Sequence, residues 1–419
     1  MTMNTSTAAA FSAGCAAFRG PLLHFIGEPG LTQPNPDSYE YHADGLLVVA
    51  DGRVLANGAA TDLLPRLPAG TEVEQWPDSL IIPGLIDTHV HMPQLAVMAS
   101  YGTQLLEWLE TYTFPTEARF ADAGWSADQS QLFLDLLLAH GTTSALVFST
   151  SHKVAAEALF SAADGYNMAI TTGKVMMDCH APDGVRDETE ASYSESRELI
   201  ERWHGKGRQR YAVTPRFAAT STVQQLTYAG QLVAEYPDVL MQTHWAENHA
   251  EIAWIKELFP ERSSYLDVYD HFGLLGERSV LAHGIHIDDG DRARLAETGT
   301  LIAFCPTSNT FLGSGLFDLA SARAAEVQVG LATDVGGGTS LSMLATMAEA
   351  YKVCQLRGQS LNPFQAFYMA TLGNAQVLHQ AADTGNLQPG KYADFLILDR
   401  TASPALRLKH KADRDLQGM

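Results

Sequence analysis

Cysteine is scarce in this chain. There are four in 419 residues, at Cys15, Cys179, Cys305 and Cys354, and no two form a CxxC pair. Such spacing speaks against a disulfide framework and predicts free thiols in a reducing compartment. Basic residues are also in deficit, 27 against 48 acidic, for a formal charge of −21. That field repels phosphate backbones and anionic lipid, so neither nucleic acid nor a membrane surface is an expected partner. A small neutral ligand pays no such penalty: free nucleobases are neutral, nucleotides are not. Long apolar runs are missing, since none reaches the roughly 18 residues a spanning helix needs. No basic residue precedes Arg19, so the n-region of a secretory leader is not found and the cytoplasm is the expected location. Internal repeats, low-complexity tracts and a GxGxxG loop are likewise not seen.

Hydrophobic residues make up 46% and charged residues 18%, the balance of a globular enzyme with a large core. The length allows a large domain plus a smaller one. From about Ala17 to Leu80 the chain reads as short strands and turns. In GLLVVADGRVLANG an Asp-Gly pair separates two β-rich runs, a hairpin signal. The far end returns to this style in PGKYADFLILDR. A small β-sandwich domain is therefore expected from residues 1–80 and 381–419 together.

The centre, residues 81–380, alternates apolar runs with amphipathic segments such as SADQSQLFLDLLLAHG and ASYSESRELIERW. Eight runs stand out: LIIPGLIDTHV, TTSALVFST, MAITTGKVMM, RYAVTPRF, VLMQTHW, SVLAHG, LIAFC and VQVGLATD. Near-continuous apolar strands between helices indicate a parallel sheet buried on both faces. Eight of them fit an α/β fold of the closed (β/α)₈ TIM-barrel type, with its chemistry at the C-terminal strand ends.

Four signals fall at those ends. IDTHVH carries His89 and His91, two apart and so on one face of a strand. QTHWAENH carries His244, with Glu247 three residues on. LAHG ends in His283, and LATDVGGG places Asp334 before three glycines. Each alone reads equally well as a polar cap. Their shared address argues for a metal site. Imidazoles with one carboxylate and no thiolate suit Zn²⁺ or Fe²⁺, and zinc can lower the pKa of bound water to about 7. Neighbouring groups carry no such signal. His180, His249 and His286 read as loop histidines, Trp245 as packing, and Gly336 to Gly338 as a tight loop.

PGLIDTHVHMPQ, TPRF, THWAEN, AHG, FCPTSN and ATDVGGG, in this order, resemble the motifs of the amidohydrolase superfamily, and within it the guanine-deaminating branch. YGTQLLEWLETYTFPTEARF, LIERWHGKGR and FCPTSNTFLGSGLF share the likeness without an obvious metal role. The resemblance spans about Gly45 to Asp399. It implies a homodimeric enzyme that deaminates guanine to xanthine and ammonia with one zinc per chain. His89, His91, His244 and Asp334 would hold the metal, with His283 as a further ligand or holding the attacking water. Glu247 would shuttle protons, with His283 and Asp334 beside it in catalysis. His91, Met92, Pro93, Gln94, Arg216, Phe217, His244, Glu247 and Asp334 would line the substrate site. On residue type alone, Arg216 reads equally as a structural ion pair, Phe217 as core, and Gln94 as uninformative.

Related deaminases or chlorohydrolases acting on cytosine, 8-oxoguanine, pterins or triazines would keep the metal set and change Gln94, Arg216 and the LLEWLE segment. A two-metal cyclic amide hydrolase wants a carbamylated lysine on the fourth strand. RYAVTPRF has none, and Lys174 lies on the third run. A catalytically dead scaffold would have lost ligands. One departure concerns the end of the chain. After ADFLIL, where the family generally adds a last hairpin, the sequence runs on to SPALRLKHKADRDLQGM, so an incomplete or differently closed small domain is expected.

Overall fold

The Asp51–Gly52 pair turns the chain as its sequence predicts, with both residues at positive φ, 50° and 72°, the combination a tight hairpin requires. It joins β2 (Tyr39–Ala50) to β3 (Arg53–Ala59). β2 also pairs antiparallel with β1 (Ala16–Phe25). β1 is bulged between Gly20 and Leu22. Ahead of the bulge it pairs with β4 (Val73–Gln75), and beyond it with β5 (Ser79–Pro83). The C-terminal strand Phe395–Asp399 lies antiparallel to β5 and completes a six-stranded sheet. Alternate residues serve opposite faces. Leu46 and Val48 enter one apolar cluster with Ala17 and Leu63, while Leu47 and Val49 enter another with Leu22 and Ile81.

This computed structural model describes residues 11, 14–102, 104–413, 415, 416 and 418; most of the stretch read for a leader lies outside them. The chain forms two compact units, one of residues 1–84, 362–376 and 380–419, the other of 85–361 and 377–379. The sequence reading ran the central region on to 380. In the fold, residues 362–376 group with the small sheet, held by Asn362 and Gln365, which bond Gly30 through its carbonyl and its amide. The segment after the last strand forms a helix, Pro404–Ala412. No helix among the described residues is long and apolar enough to cross a membrane.

The second unit is the expected barrel. β6 (Leu85–His91), β7 (Thr142–Phe148), β8 (Ala169–Gly173), β9 (Val175–Met176), β10 (Arg210–Pro215), β11 (Leu240–Trp245), β12 (Ser279–His283), β13 (Leu301–Phe304) and β14 (Val329–Leu331) take up the eight apolar runs. Eight of them follow one another in parallel order from β6 to β14, and the short β9 adds to β10 after β8. The last seam closes through the chain just past β14: Asp334 N donates to His89 O at 2.9 Å and His91 N to Val335 O at 2.7 Å. Helices fill the connections. Ala123–Ala139 shows why: Ser126, Ser130, Phe133, Leu134 and Leu137 recur at helical spacing and are buried. Its apolar members pack on Val90, Ala145 and Val147 of the strands, each large side chain contributing about 1.5–3 kcal/mol on burial. Asp122 caps its start by accepting from Trp125 N at 2.7 Å.

Candidate active site

Period-two geometry at the end of β6 turns His89 and His91 to one side, and their Nε2 atoms lie 3.2 Å apart. His244, on β11, brings its Nε2 to 3.1 Å from that of His91. Asp334 Oδ1 sits 3.2 Å from His89 Nε2 and 3.4 Å from His91 Nε2. His283, the last residue of β12, has its Nε2 at 3.8 Å from Asp334 Oδ2. One ligand atom from each of His89, His244, His283 and Asp334 falls within 4.8 Å of all the others. His283 and Asp334 both hold left-handed backbone conformations, φ 76° and 48°, a costly geometry for residues with a Cβ that clusters at functional sites.

The donor set fits a divalent cation. His244 Nδ1 donates to Arg216 O at 2.7 Å, which leaves the lone pair on Nε2 facing inward. His283 Nδ1 bonds Asn309 Oδ1 at 2.9 Å, and its buried Nε2 has no hydrogen-bond partner among the described residues. Burial pushes the His91 imidazole down to about 4 and that of His244 well below its usual range, with His89 adding to the effect. Both are thus neutral and able to ligate. Burial works to raise the Asp334 carboxyl, yet hydrogen bonds from His89 and His91 carry it well below the ordinary carboxylate range. Converging nitrogen lone pairs at about 3 Å, with a carboxylate among them, need a positive charge between them.

Beneath the cluster, Asp87 accepts from His89 N and Thr333 N, each at 3.1 Å, and from Thr333 Oγ1 at 2.5 Å. It ties the first and last strands together. The glycine run works by close approach. A Cβ on Gly336 would lie 2.7 Å from Gln94 O, on Gly337 2.7 Å from Ser308 Oγ, and on Gly338 1.8 Å from Thr333 O.

Beside the cluster opens a pocket whose lining takes in His91, His244, His283 and Asp334. Glu247 lines it, 3.3 Å from His283 Nε2. Burial, then the charge of Asp334, pushes its carboxyl up to about 8, against a hydrogen bond from Ser314 Oγ at 3.1 Å. Leu105, Trp108, Leu109, Phe217 and Leu312 supply apolar walls. Gln94 and Arg216, both buried, add polar groups to the lining.

Most sequence-singled residues meet here: His91, Gln94, Arg216, Phe217, His244, Glu247, His283 and Asp334 line the pocket, and His89 stands in the histidine cluster behind it. Met92 instead packs in the barrel core with Val90 and Phe133, and Pro93 is buried in the turn after β6; neither lines the pocket. Lys174 pairs with Asp187 and, at 3.5 Å, Glu195, a structural use. His180 bonds Ala219 O, and His249 and His286 face each other at 3.8 Å.

Sequence reasoning missed four residues. Glu117 bridges Gln94 and Arg216. Glu251 lines the pocket and receives the amides of Glu247 and Asn248 at 2.9 and 3.1 Å. Asn309 and Ser314 orient His283 and Glu247. The signal was available for three of them: Glu117 lies in YGTQLLEWLETYTFPTEARF, and Asn309 and Ser314 lie in FCPTSNTFLGSGLF.

A closed parallel barrel with histidines and an aspartate at its strand ends defines a metal-dependent hydrolase architecture. Residues 80–418 match the Amidohydrolase family, and the chain belongs to that family. It is 48% identical over 367 residues to guanine deaminase of Escherichia coli (strain K12), covering 88% of this chain and 84% of that one. The fold superposes on a solved E. coli guanine deaminase with a TM-score of 0.92 at 45% identity, over 96% of this chain and 93% of the other. A guanine deaminase from C. acetobutylicum, solved with guanine bound in its active site, gives 0.82 at 27% identity, over 91% and 90% of the two chains.

Proposed function

We propose that the protein hydrolyses the 2-amino group of guanine, giving xanthine and ammonia. One observation carries this reading: a single pocket is lined by metal-type donors, by Glu247 with its raised carboxyl, and by Arg216 and Gln94. The 48% identity to the E. coli guanine deaminase supports the same substrate.

His89, His91, His244 and Asp334 hold the metal, zinc in the first instance and Fe²⁺ as the alternative. Bound there, such an ion supplies an activated water nucleophile at neutral pH. Asp334 is placed to accept a proton from the attacking water. Glu247, with its carboxyl pushed up to about 8, holds a proton near neutrality. It can hand that proton to the ring nitrogen and then return one to the departing amine, as general acid–base groups poised near the working pH do. The hydrogen bond from His283 Nδ1 to Asn309 leaves Nε2 as an acceptor. That favours His283 as ligand, or as the group that holds the water, over donation to a developing oxyanion. Arg216 offers donors to the O6/N7 edge of guanine, and Phe217 with Trp108 flanks the ring. A homodimer in the cytoplasm belongs to the same proposal; the four unpaired cysteines suit a reducing compartment.

The test is ammonia release by metal-loaded enzyme from guanine, 8-oxoguanine, adenine, cytosine and a pterin. Guanine is expected to react best. A different base reacting while guanine does not would replace the substrate and leave the metal chemistry in place.

A further inference from the structure

The stretch YGTQLLEWLETYTFPTEARF has a use that the metal chemistry does not call on. From Leu105 on it folds as four consecutive short helical pieces, Leu105–Trp108, Leu109–Thr113, Phe114–Glu117 and Ala118–Ala121. Leu105, Trp108 and Leu109 form a wall of the pocket. Glu117, at the end of the third piece, is fully buried. Its Oε1 accepts from Gln94 Nε2 at 3.0 Å and its Oε2 from Arg216 Nη1 at 2.7 Å. Gln94 Oε1 accepts from Gly336 N at 3.2 Å.

Gln94 is thus bracketed by a pure acceptor on one side and a backbone donor on the other. A side-chain amide between two such partners has one orientation only, nitrogen toward the carboxylate and oxygen toward the N–H. The remaining N–H groups of Gln94 and Arg216 are donors; Arg216 has no acceptor, and the oxygen of Gln94 is engaged by Gly336 N. We infer that Glu117 is a positioning residue for substrate recognition: it holds Gln94 and Arg216 so that the pair offers N–H donors to the pocket, which selects a ring edge made of acceptors. The inference rests on the guanine reading, because it is the O6/N7 edge that such donors match. A base with an amino group at position 6 presents a donor to donors and is rejected.

The test uses 2,6-diaminopurine, which keeps the reacting 2-amino group and replaces the 6-oxo acceptor by an amino donor. Glu117→Gln places an amide against Gln94 and Arg216, so Gln94 is free to turn over. The variant is expected to lose about 10²-fold or more in kcat/KM for guanine, chiefly through KM, and to narrow the guanine/2,6-diaminopurine preference by at least about tenfold. Glu117→Asp retains an anionic acceptor and is expected to raise KM while keeping the parental preference within about threefold. Metal content and melting temperature of both variants separate recognition from damage. Should Glu117→Gln fail to fold, a folded, metal-loaded Glu117→Asp variant with a raised KM for guanine and the parental preference supports the inference, and one with a parental KM or a lost preference overturns it. A folded Glu117→Gln enzyme with the parental preference also overturns the role of Glu117 and leaves the guanine reading intact. A parent enzyme inactive on guanine overturns both.

Discussion

At the metal end of the pocket every candidate ligand lies in the last residues of a strand or just beyond it: His89 and His91 on β6, His244 on β11, His283 closing β12, Asp334 three residues after β14. The second group, Gln94 and Arg216, is tied to Glu117, which comes from a helical excursion between β6 and β7. Barrel register sets the first group. Side chains reaching across a loop set the second. Arg216 belongs to both, its carbonyl orienting His244 and its guanidinium held by Glu117. The contrast teaches that the fold itself supplies the reaction centre, whereas the choice of substrate is an addition held by buried charge.

That contrast can be broken at several points. The largest effect is expected at the metal end. His244→Ala should lose bound metal and at least ~10⁴-fold in kcat/KM, because a ligand and not a tuning group is removed; metal analysis alongside ammonia release checks it, and full metal occupancy with parental turnover would refute the ligand role. Next, Glu247→Gln should keep its metal and drop kcat by about 10²–10⁴, read as kcat against metal content.

At the recognition end the cost should appear in folding as well. Arg216→Met leaves Glu117 as a buried carboxylate without its cation, for which about 3–5 kcal/mol of stability should be lost, measured by denaturant unfolding. A loss under ~1 kcal/mol would mean that the pair is dispensable to the fold and the contrast is overdrawn.

The smallest effect sharpens the picture of Glu247. Burial pushes its carboxyl up to about 8 in the fold, against about 4.5 for an ordinary glutamate. Between those values the folded state of metal-stripped protein binds a proton that the unfolded chain has released. The share of stability that Glu247 contributes should therefore fall as pH rises from about 4.5 to 8, by up to ~1.4 kcal/mol per pH unit, and is read as the difference between the parent and Glu247→Gln. Glu247→Gln should flatten that slope, and an equal slope in the variant would assign it to another group.

How much was legible in sequence follows the same division. The β-branched runs, the Asp-Gly hairpin and the ligand spacing on each strand end are local patterns, and the barrel turns them directly into geometry. Gln94 was uninformative and Arg216 ambiguous because their meaning depends on Glu117, 23 and 99 residues away. Arg216 turned out to be both things weighed for it, an ion-paired residue and a pocket residue. Met92 followed its apolar character into the core, although it adjoins His91 in a motif. Residues 362–376 carry no periodic signal that says which unit they join; that depends on polar bonds from Asn362 and Gln365 to distant backbone.

The seam between the first and last strands has a mechanical meaning. His89 and His91 stand on one stave of the barrel, and Asp334 on the loop that closes against it, their backbones already exchanging hydrogen bonds over the clasp of Asp87 and Thr333. An ion held by all three would work as a rivet at the rim. Taking it out would slacken the joint where the two ends of the barrel's sequence meet, so holding the shape and running the reaction would draw on the same few atoms.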